Sequence, residues 1–335
     1  MGAAQAEDLG PARVSLGTWP TPVERAPRLA ERLGLAAGCL WIKRDDLTGL
    51  GAGGNKVRKL EYLCAAALEK GATTLVTSGG AQSNHARLTA AAACRLGLRC
   101  VAVLAGQRPE VPTGNLALEG LLGARVVWAG KVDDDGLDER VETVAEDLTR
   151  SGQRVEVIPL GGSSAIGARG YVDCGHELDA QVPDFTRVVV GVGSGGTMAG
   201  LVAALGPERV LGVDAGATAD AHRRVRDLLD QLFAAGATSS AYTDGPLHLR
   251  GDQVGAGYGI LTSGARTALI DAAQCEGIIL DPVYTAKALS GLGAALREGS
   301  IGPDEPTVFL HSGGLPGLFG HDVLRDPQCA PETVE

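Results

Sequence analysis

Short β-branched runs alternate with longer Ala/Leu-rich stretches of helical period along most of this chain. That alternation limits the fold more than any other feature. "TTLVTSG" (73–79) predicts a strand ending in small residues, and "RLTAAAACRLG" (87–97) a helix stopped by glycine. "RCVAVLAG" (99–106), "ARVVWAG" (124–130) and "RVEVIPLGG" (154–162) predict further strands. Between them lie two helical stretches, "TGNLALEGLLG" (113–123) and the acidic-started "DDDGLDERVETVAEDLTRSG" (133–152). The rhythm resumes with "GARGYVDCGHEL" as helix, "RVVVGVGSGG" as strand into loop, "TMAGLVAALG" as helix and "RVLGVDAG" as strand. Repeated β-α-β units call for a mainly parallel, doubly wound sheet. The 335 residues leave room for two. The expected fold is therefore α/β, with two doubly wound, mainly parallel sheets facing a cleft. The longest irregular region is "SSAYTDGPLHLRGDQVGAGYG" (239–259), a length that suggests function or disorder.

One junction carries a chemical question. "GAGGNKVRKLEYL" (51–63) is a glycine turn followed by a helical pattern, with Asn55 placed to cap the helix and Lys56 at its start. A helix N-terminus holds about half a positive charge and disfavours an ammonium. Either Lys56 snorkels into solvent at small cost, or the chemistry needs a neutral amine. An amine of lowered pKa can attack an aldehyde and hold it as an imine.

Three glycine loops follow strands. "VVVGVGSGGTMAG" (188–200) is strand, loop and helix, an arrangement whose backbone N–H groups and dipole suit a phosphate. A plain tight turn is the bland alternative. Gly191, Gly193 and Gly196 also match the dinucleotide fingerprint, with Asp214 at a suitable distance, so a nicotinamide dehydrogenase is a competing expectation. A Walker loop is excluded, because no Gly-Lys-Ser/Thr follows. "TSGGAQSNHARL" (77–88) presents Ser83, Asn84 and His85, and "FLHSGGLPGLFG" (309–320) presents Ser312. Ligands of open α/β sheets bind past the C-terminal strand ends, where all these loops fall. The chain has three asparagines, and two of them, Asn55 and Asn84, are in such loops. A small aromatic aldehyde bearing a phosphate fits this inventory better than a dinucleotide. Pyridoxal 5′-phosphate needs a lysine, a phosphate loop, a partner for its ring nitrogen and a donor for its ring hydroxyl.

Composition excludes other classes. A net charge of −10 with no long basic run argues against nucleic acid and against an anionic membrane surface. Nothing at the N-terminus resembles a signal peptide, and no apolar run reaches spanning length. The seven cysteines form no C-x-x-C pair; Cys64, Cys94, Cys100 and Cys174 read as small core residues in a reducing cytoplasm. "DCGH" (173–176) reads as a polar helix face rather than a metal site.

The ordered motifs "PTPVERAPRLAERLG", "IKRDDLTGLGAGGNKVRKLEYL", "SGGAQSNHAR", "GSGGTMAG", "GAGYG", "LDPVYTAKAL" and "HSGGLPGLFG" cover nearly the whole chain. Together they resemble the fold-type II pyridoxal-phosphate enzymes, and within them the D-cysteine desulfhydrase / 1-aminocyclopropane-1-carboxylate deaminase group. The resemblance implies that Lys56 holds the cofactor as an imine and shuttles the α-proton. Gly193, Ser194, Gly195, Gly196 and Thr197 would cradle the phosphate, Asn84 would meet the ring hydroxyl, and Ser312 the pyridine nitrogen. Ser83, Asn84 and His85 would hold the substrate carboxylate, flanked by Tyr258 and Tyr284. A neutral hydroxyl at Ser312 would not force a proton onto the ring nitrogen, as an aspartate would, and the milder electron sink suits β-elimination. The resemblance also implies a large cofactor domain (1–55 and 161–335), a small α/β domain (56–160), a small amino-acid substrate and a cytoplasmic homodimer. Deaminases of the cyclopropane amino acid carry Glu after the "DPVY" tyrosine and Gln after Ser-Asn. Thr285 and His85 stand here instead, so D-cysteine cleavage to pyruvate, ammonia and sulfide is favoured. Ring-opening deamination, an L-cysteate sulfo-lyase and a specialised biosynthetic lyase are the alternatives. Ser164 stands where relatives show Asn, and "GVDAGATADAH" (212–222) matches no family segment.

Overall fold

The computed structural model describes residues 13–238 and 245–325. Its strands are β1 (Val23–Arg25), β2 (Leu40–Arg44), β3 (Thr74–Gly80), β4 (Arg99–Ala105), β5 (Arg125–Gly130), β6 (Val155–Val157), β7 (Arg187–Val192), β8 (Val210–Asp214), β9 (His248–Arg250) and β10 (Thr307–His311). Its helices are α1 (Pro27–Leu33), α2 (Lys56–Glu69), α3 (Asn84–Leu96), α4 (Gly114–Leu121), α5 (Asp134–Arg150), α6 (Ala165–Gln181), α7 (Gly196–Leu205), α8 (Ala221–Ala234), α9 (Ser263–Glu276), α10 (Thr285–Arg297) and α11 (Leu315–Leu318).

The strands form a six-stranded sheet ordered β1-β2-β10-β7-β8-β9 and a four-stranded sheet ordered β5-β4-β3-β6. Only β1 runs antiparallel to its neighbour. In the larger sheet the chain proceeds from β7 through β8 to β9 on one side, while β10 lies on the other. In the smaller it proceeds from β3 through β4 to β5, with β6 opposite. Each reversal opens a crevice past the carboxyl end of the strands that flank it, where ligands of such sheets bind. The loops after β3, β7 and β10 stand there, which places the three sequence loops at the switch points.

Burial follows from composition. Every residue of α7 is buried, and the helix carries no charge, so it can sit between α6, α8 and the sheet. Arg58 ties α2 to the larger sheet's side. Its guanidinium donates to Asp45 Oδ2 and Oδ1 at 2.8 and 2.9 Å, and to Glu177 Oε1 and Oε2 at 2.9 and 2.8 Å. Both Arg58 and Asp45 are fully enclosed.

Several expectations need correction. The run 154–162 is strand only over Val155–Val157. Pro159 has no N–H for a ladder, and Gly161 and Gly162 turn the chain at φ +65° and +64°. Cys94 is exposed rather than a core residue, although Cys64, Cys100 and Cys174 are buried. In "DCGH", Cys174 and Gly175 are buried and only His176 is exposed, so the stretch is not a uniformly polar helix face. Of the irregular region 239–259, residues 239–244 lie outside the described residues, and the rest contains β9. No described helix is long and apolar enough to cross a membrane.

Candidate active site

A cavity of about 490 Å³ lies at the two crevices. Its floor is the turn after β7. Gly195 turns at φ +85°, and Gly193, Ser194, Gly195 and Thr197 face the cavity. Gly196 is set back, with its N–H donating to Ser163 Oγ at 3.2 Å. Ser163 Oγ also bonds Ser194 Oγ at 2.7 Å and accepts from Lys59 Nζ at 3.0 Å. A Cβ built on Gly196 would stand 2.7 Å from Ser163 Oγ and 2.9 Å from Lys59 Nζ. The turn at a helix N-terminus, the Ser194 hydroxyl facing the cavity, and Ser163 with the buried Lys59 amine behind it suit an anion, and Gly196 leaves no room for a side chain there. Ser163 and Lys59 were not singled out for it from sequence. The three-residue spacing of Lys56 and Lys59 was the available signal, since it puts both on one helix face.

Lys56 is the first residue of α2 and faces the cavity. The glycine turn before it has a structural cause: a Cβ on Gly53 would fall 2.0 Å from Asp46 O. Asn55 does not cap the helix. Its backbone is already helical (φ −55°, ψ −23°), and its amide donates to Thr197 Oγ1 at 3.1 Å instead. Lys56 is half-buried on the cavity wall rather than extended into bulk solvent, and burial lowers its pKa from 10.5 to about 8. Burial, with repulsion from Lys56 and Arg224, pushes Lys59 well below its ordinary value too.

The start of α3 forms the opposite wall. Ser83, Asn84 and His85 all line the cavity. Ser83 caps the helix, its Oγ accepting the Ala86 N–H at 3.1 Å, and so keeps its own proton to donate. Asn84 Oδ1 accepts from Asn115 Nδ2 at 2.9 Å. His85 Nε2 bonds Thr77 Oγ1 at 2.9 Å, while its buried Nδ1 has no partner. Burial, then the nearby Lys56 and Lys59, hold this imidazole neutral, well below its ordinary pKa.

Tyr258 and Tyr284 share a hydrogen bond of 2.5 Å between their hydroxyls at the cavity edge. Burial raises the Tyr284 phenol well above its ordinary pKa, so both protons stay on the pair. Asp281, not foreseen from sequence, accepts the N–H groups of Val283 and Tyr284, each at 2.9 Å, and so fixes Tyr284. Thr285 is buried behind it, its hydroxyl donating to Asp281 Oδ1 at 2.7 Å. Ser312 lines the cavity after β10, and its carbonyl accepts the Asn55 N–H at 2.9 Å. Ser164 caps α6 through the Gly167 N–H at 3.3 Å. Asp214 stands where a dehydrogenase would need it, but its carboxylate takes the Gly216 N–H at 2.8 Å. Within the unmatched segment, Ala217 and Thr218 line the cavity, and Asp220 caps α8.

Comparison with known proteins puts a family to this geometry. Residues 14–313 match the model of the "Pyridoxal-phosphate dependent enzyme" family. The D-cysteine desulfhydrase of Salmonella paratyphi B is 40% identical over 321 residues, 92% of this chain and 96% of that protein. The Salmonella newport D-cysteine desulfhydrase matches equally, at 40% over the same length. A solved structure of an ACC deaminase homologue superposes with a TM-score of 0.85 at 37% identity, covering 94% of this chain and 96% of the other. A threonine deaminase from Solanum lycopersicum, 22% identical with a TM-score of 0.62 over 88% of this chain and 79% of its own, shares the fold.

Proposed function

The chain belongs to the pyridoxal-phosphate-dependent enzyme family, and from that premise we propose that it is a β-eliminating lyase converting D-cysteine and water to pyruvate, ammonia and sulfide. It is a pyridoxal-phosphate-dependent lyase of the α/β, fold-type II kind. The observation that carries the substrate proposal is the pairing of a protonated Tyr258–Tyr284 hydroxyl couple with a Thr285 that is buried and already bonded to Asp281. Thiolate is a good leaving group and asks only for a proton donor, which the couple supplies. Opening a cyclopropane asks for an additional acid–base group, and Thr285 offers none. The desulfhydrase relatives support the same choice.

The residues present fit the cofactor: the turn at Gly195 and Gly196 has no room for a side chain at Gly196 beside Ser163 Oγ and Lys59 Nζ, and an amine of lowered pKa opens onto the same cavity. Bound there, the cofactor supplies an aldehyde for the amine and an electron sink for the carbanion left by α-proton removal. Gly193, Ser194, Gly195, Gly196 and Thr197, with Lys59, would hold the phosphate. Lys56 would bind the aldehyde and then take the α-proton, a task suited to an amine with a pKa of about 8. Asn84 would donate to the ring hydroxyl and Ser312 to the pyridine nitrogen. The Ser83 hydroxyl and the α3 N-terminus would orient the substrate carboxylate, with Asn84 and the neutral His85 beside it. The proposal extends to a small domain of 56–160 against a larger one of 1–55 and 161–335, supported by the separate four-stranded sheet. It also includes a cytoplasmic homodimer; the described cysteines are all free, which fits a reducing compartment.

Assaying both substrates side by side tests the choice. Sulfide and pyruvate should appear from D-cysteine. Production of 2-oxobutyrate from the cyclopropane amino acid, with no sulfide from either cysteine enantiomer, would overturn it.

A further inference from the structure

Asn115 and Arg87 are fully buried polar residues that do not line the cavity. Arg87, on α3, donates Nε to Asn115 Oδ1 at 2.6 Å. Its other nitrogens donate to the carbonyls of Gly51 and, at 3.1 Å, Gly53. Asn115, on α4, donates its amide to Gln82 O and to Asn84 Oδ1, each at 2.9 Å. Its backbone N–H donates to Gln82 Oε1 at 2.9 Å.

A guanidinium has donors only. The Asn115 group that meets Arg87 must therefore be its oxygen, and the group that meets the Gln82 carbonyl must be its nitrogen. Turning this amide over would set N–H against N–H at Arg87 and oxygen against oxygen at Gln82. Its orientation is fixed twice. Asn84 must then offer its own oxygen to Asn115, which leaves Nδ2 as the amide's free end. We propose that Arg87 and Asn115 are positioning residues that set the polarity of Asn84, so that it presents a hydrogen-bond donor and not an acceptor to the cofactor's ring oxygen. The same guanidinium holds the carbonyls of the turn that leads to Lys56. One buried charge thus sets both the turn before the amine and the donor opposite it. This inference rests on the proposed contact between Asn84 and the ring oxygen.

Asn115→Asp is the informative change, since it is nearly isosteric and removes the donor. A carboxylate next to Asn84 would draw Asn84 Nδ2 towards itself and turn Asn84 Oδ1 to the cavity. The ring oxygen would then keep its proton, and the visible band of the bound cofactor should give way to a near-ultraviolet one. The dissociation constant for pyridoxal phosphate should rise about tenfold, the size expected for one lost hydrogen bond to a charged oxygen. Both are measured on the purified holoenzyme, with Asn84→Ala and the double variant alongside. In the Asn84→Ala background, Asn115→Asp should add nothing, because the effect runs through Asn84. An unchanged spectrum and affinity in Asn115→Asp, with Asn84→Ala shifted, would overturn the relay alone. So would a full Asn115→Asp effect persisting without Asn84, which would be a through-space charge effect. If Asn84→Ala itself changed neither measurement, the Asn84 contact would fall, and the relay with it. Should the Asp variant be insoluble, Asn115→Ala carries the test, with a smaller shift of the same sign expected and no shift refuting.

Discussion

Replacing Lys56 by methionine should make the apoprotein more stable at neutral pH. The amine's pKa falls from 10.5 in the unfolded chain to about 8 in the folded one through burial. That drop corresponds to about 3 kcal/mol against the charged form. The side chain is half-buried and opens onto the cavity, so screening recovers part of this, and about 2 kcal/mol is the expected gain. The sign follows from proton counting. Between pH 8 and 10.5 the unfolded chain carries a proton here that the folded chain lacks, so wild-type stability rises with pH across that window. The cost is full below pH 8 and gone above 10.5. Lys56→Met should therefore exceed wild type by about 2 kcal/mol at pH 7, with the difference shrinking steadily towards pH 10. Lys59, which Lys56 repels, is partly relieved by the same change, so its contribution adds to the gain at neutral pH and fades as Lys56 loses its proton. Urea unfolding of both apoproteins at several pH values measures it. Equal stability at pH 7, or a difference that does not change with pH, would refute the desolvation of Lys56. A group held at such a cost is what an active site shows when function, not stability, chooses the residue.

Other outcomes follow from particular contacts. Arg58→Ala should cost roughly 3–5 kcal/mol in urea unfolding, because it strands the enclosed Asp45 carboxylate. Gly196→Val should abolish measurable pyridoxal-phosphate binding while the protein still folds, since its Cβ would enter the space between Ser163 Oγ and Lys59 Nζ; unchanged affinity would move the phosphate site elsewhere. Burial raises Glu119 from 4.5 to about 8, and neither carboxyl oxygen has a partner. The folded chain keeps that proton while the unfolded chain sheds it, so the residue lowers stability progressively from pH 4.5 to 8. Glu119→Gln should flatten that slope in thermal unfolding, and an unaltered slope would assign the pH dependence to other groups.

The periodicities of this chain determined its class before any coordinates. The β-α-β rhythm forces parallel strands, parallel strands force crossover helices, and the glycine loops must then fall at the carboxyl ends of the strands. The positions of Lys56, Ser83 and the 193–197 turn followed from that local grammar. What the sequence could not give were partners chosen by strand order. Ser163 and Ser194 are 31 residues apart, yet their hydroxyls bond across the crevice. Asn115 and Asn84 are likewise 31 apart and joined by one hydrogen bond. Asn55 reads locally as a helix cap, but its side chain leaves the helix for Thr197, 142 residues on. A cap satisfies one backbone N–H near a helix end, whereas a bond across a cavity depends on how two sheets are wound and docked. Chemistry confined to one loop is written in neighbouring residues. Lys56's lowered pKa and Asn84's fixed polarity arise from groups brought together only when both sheets form.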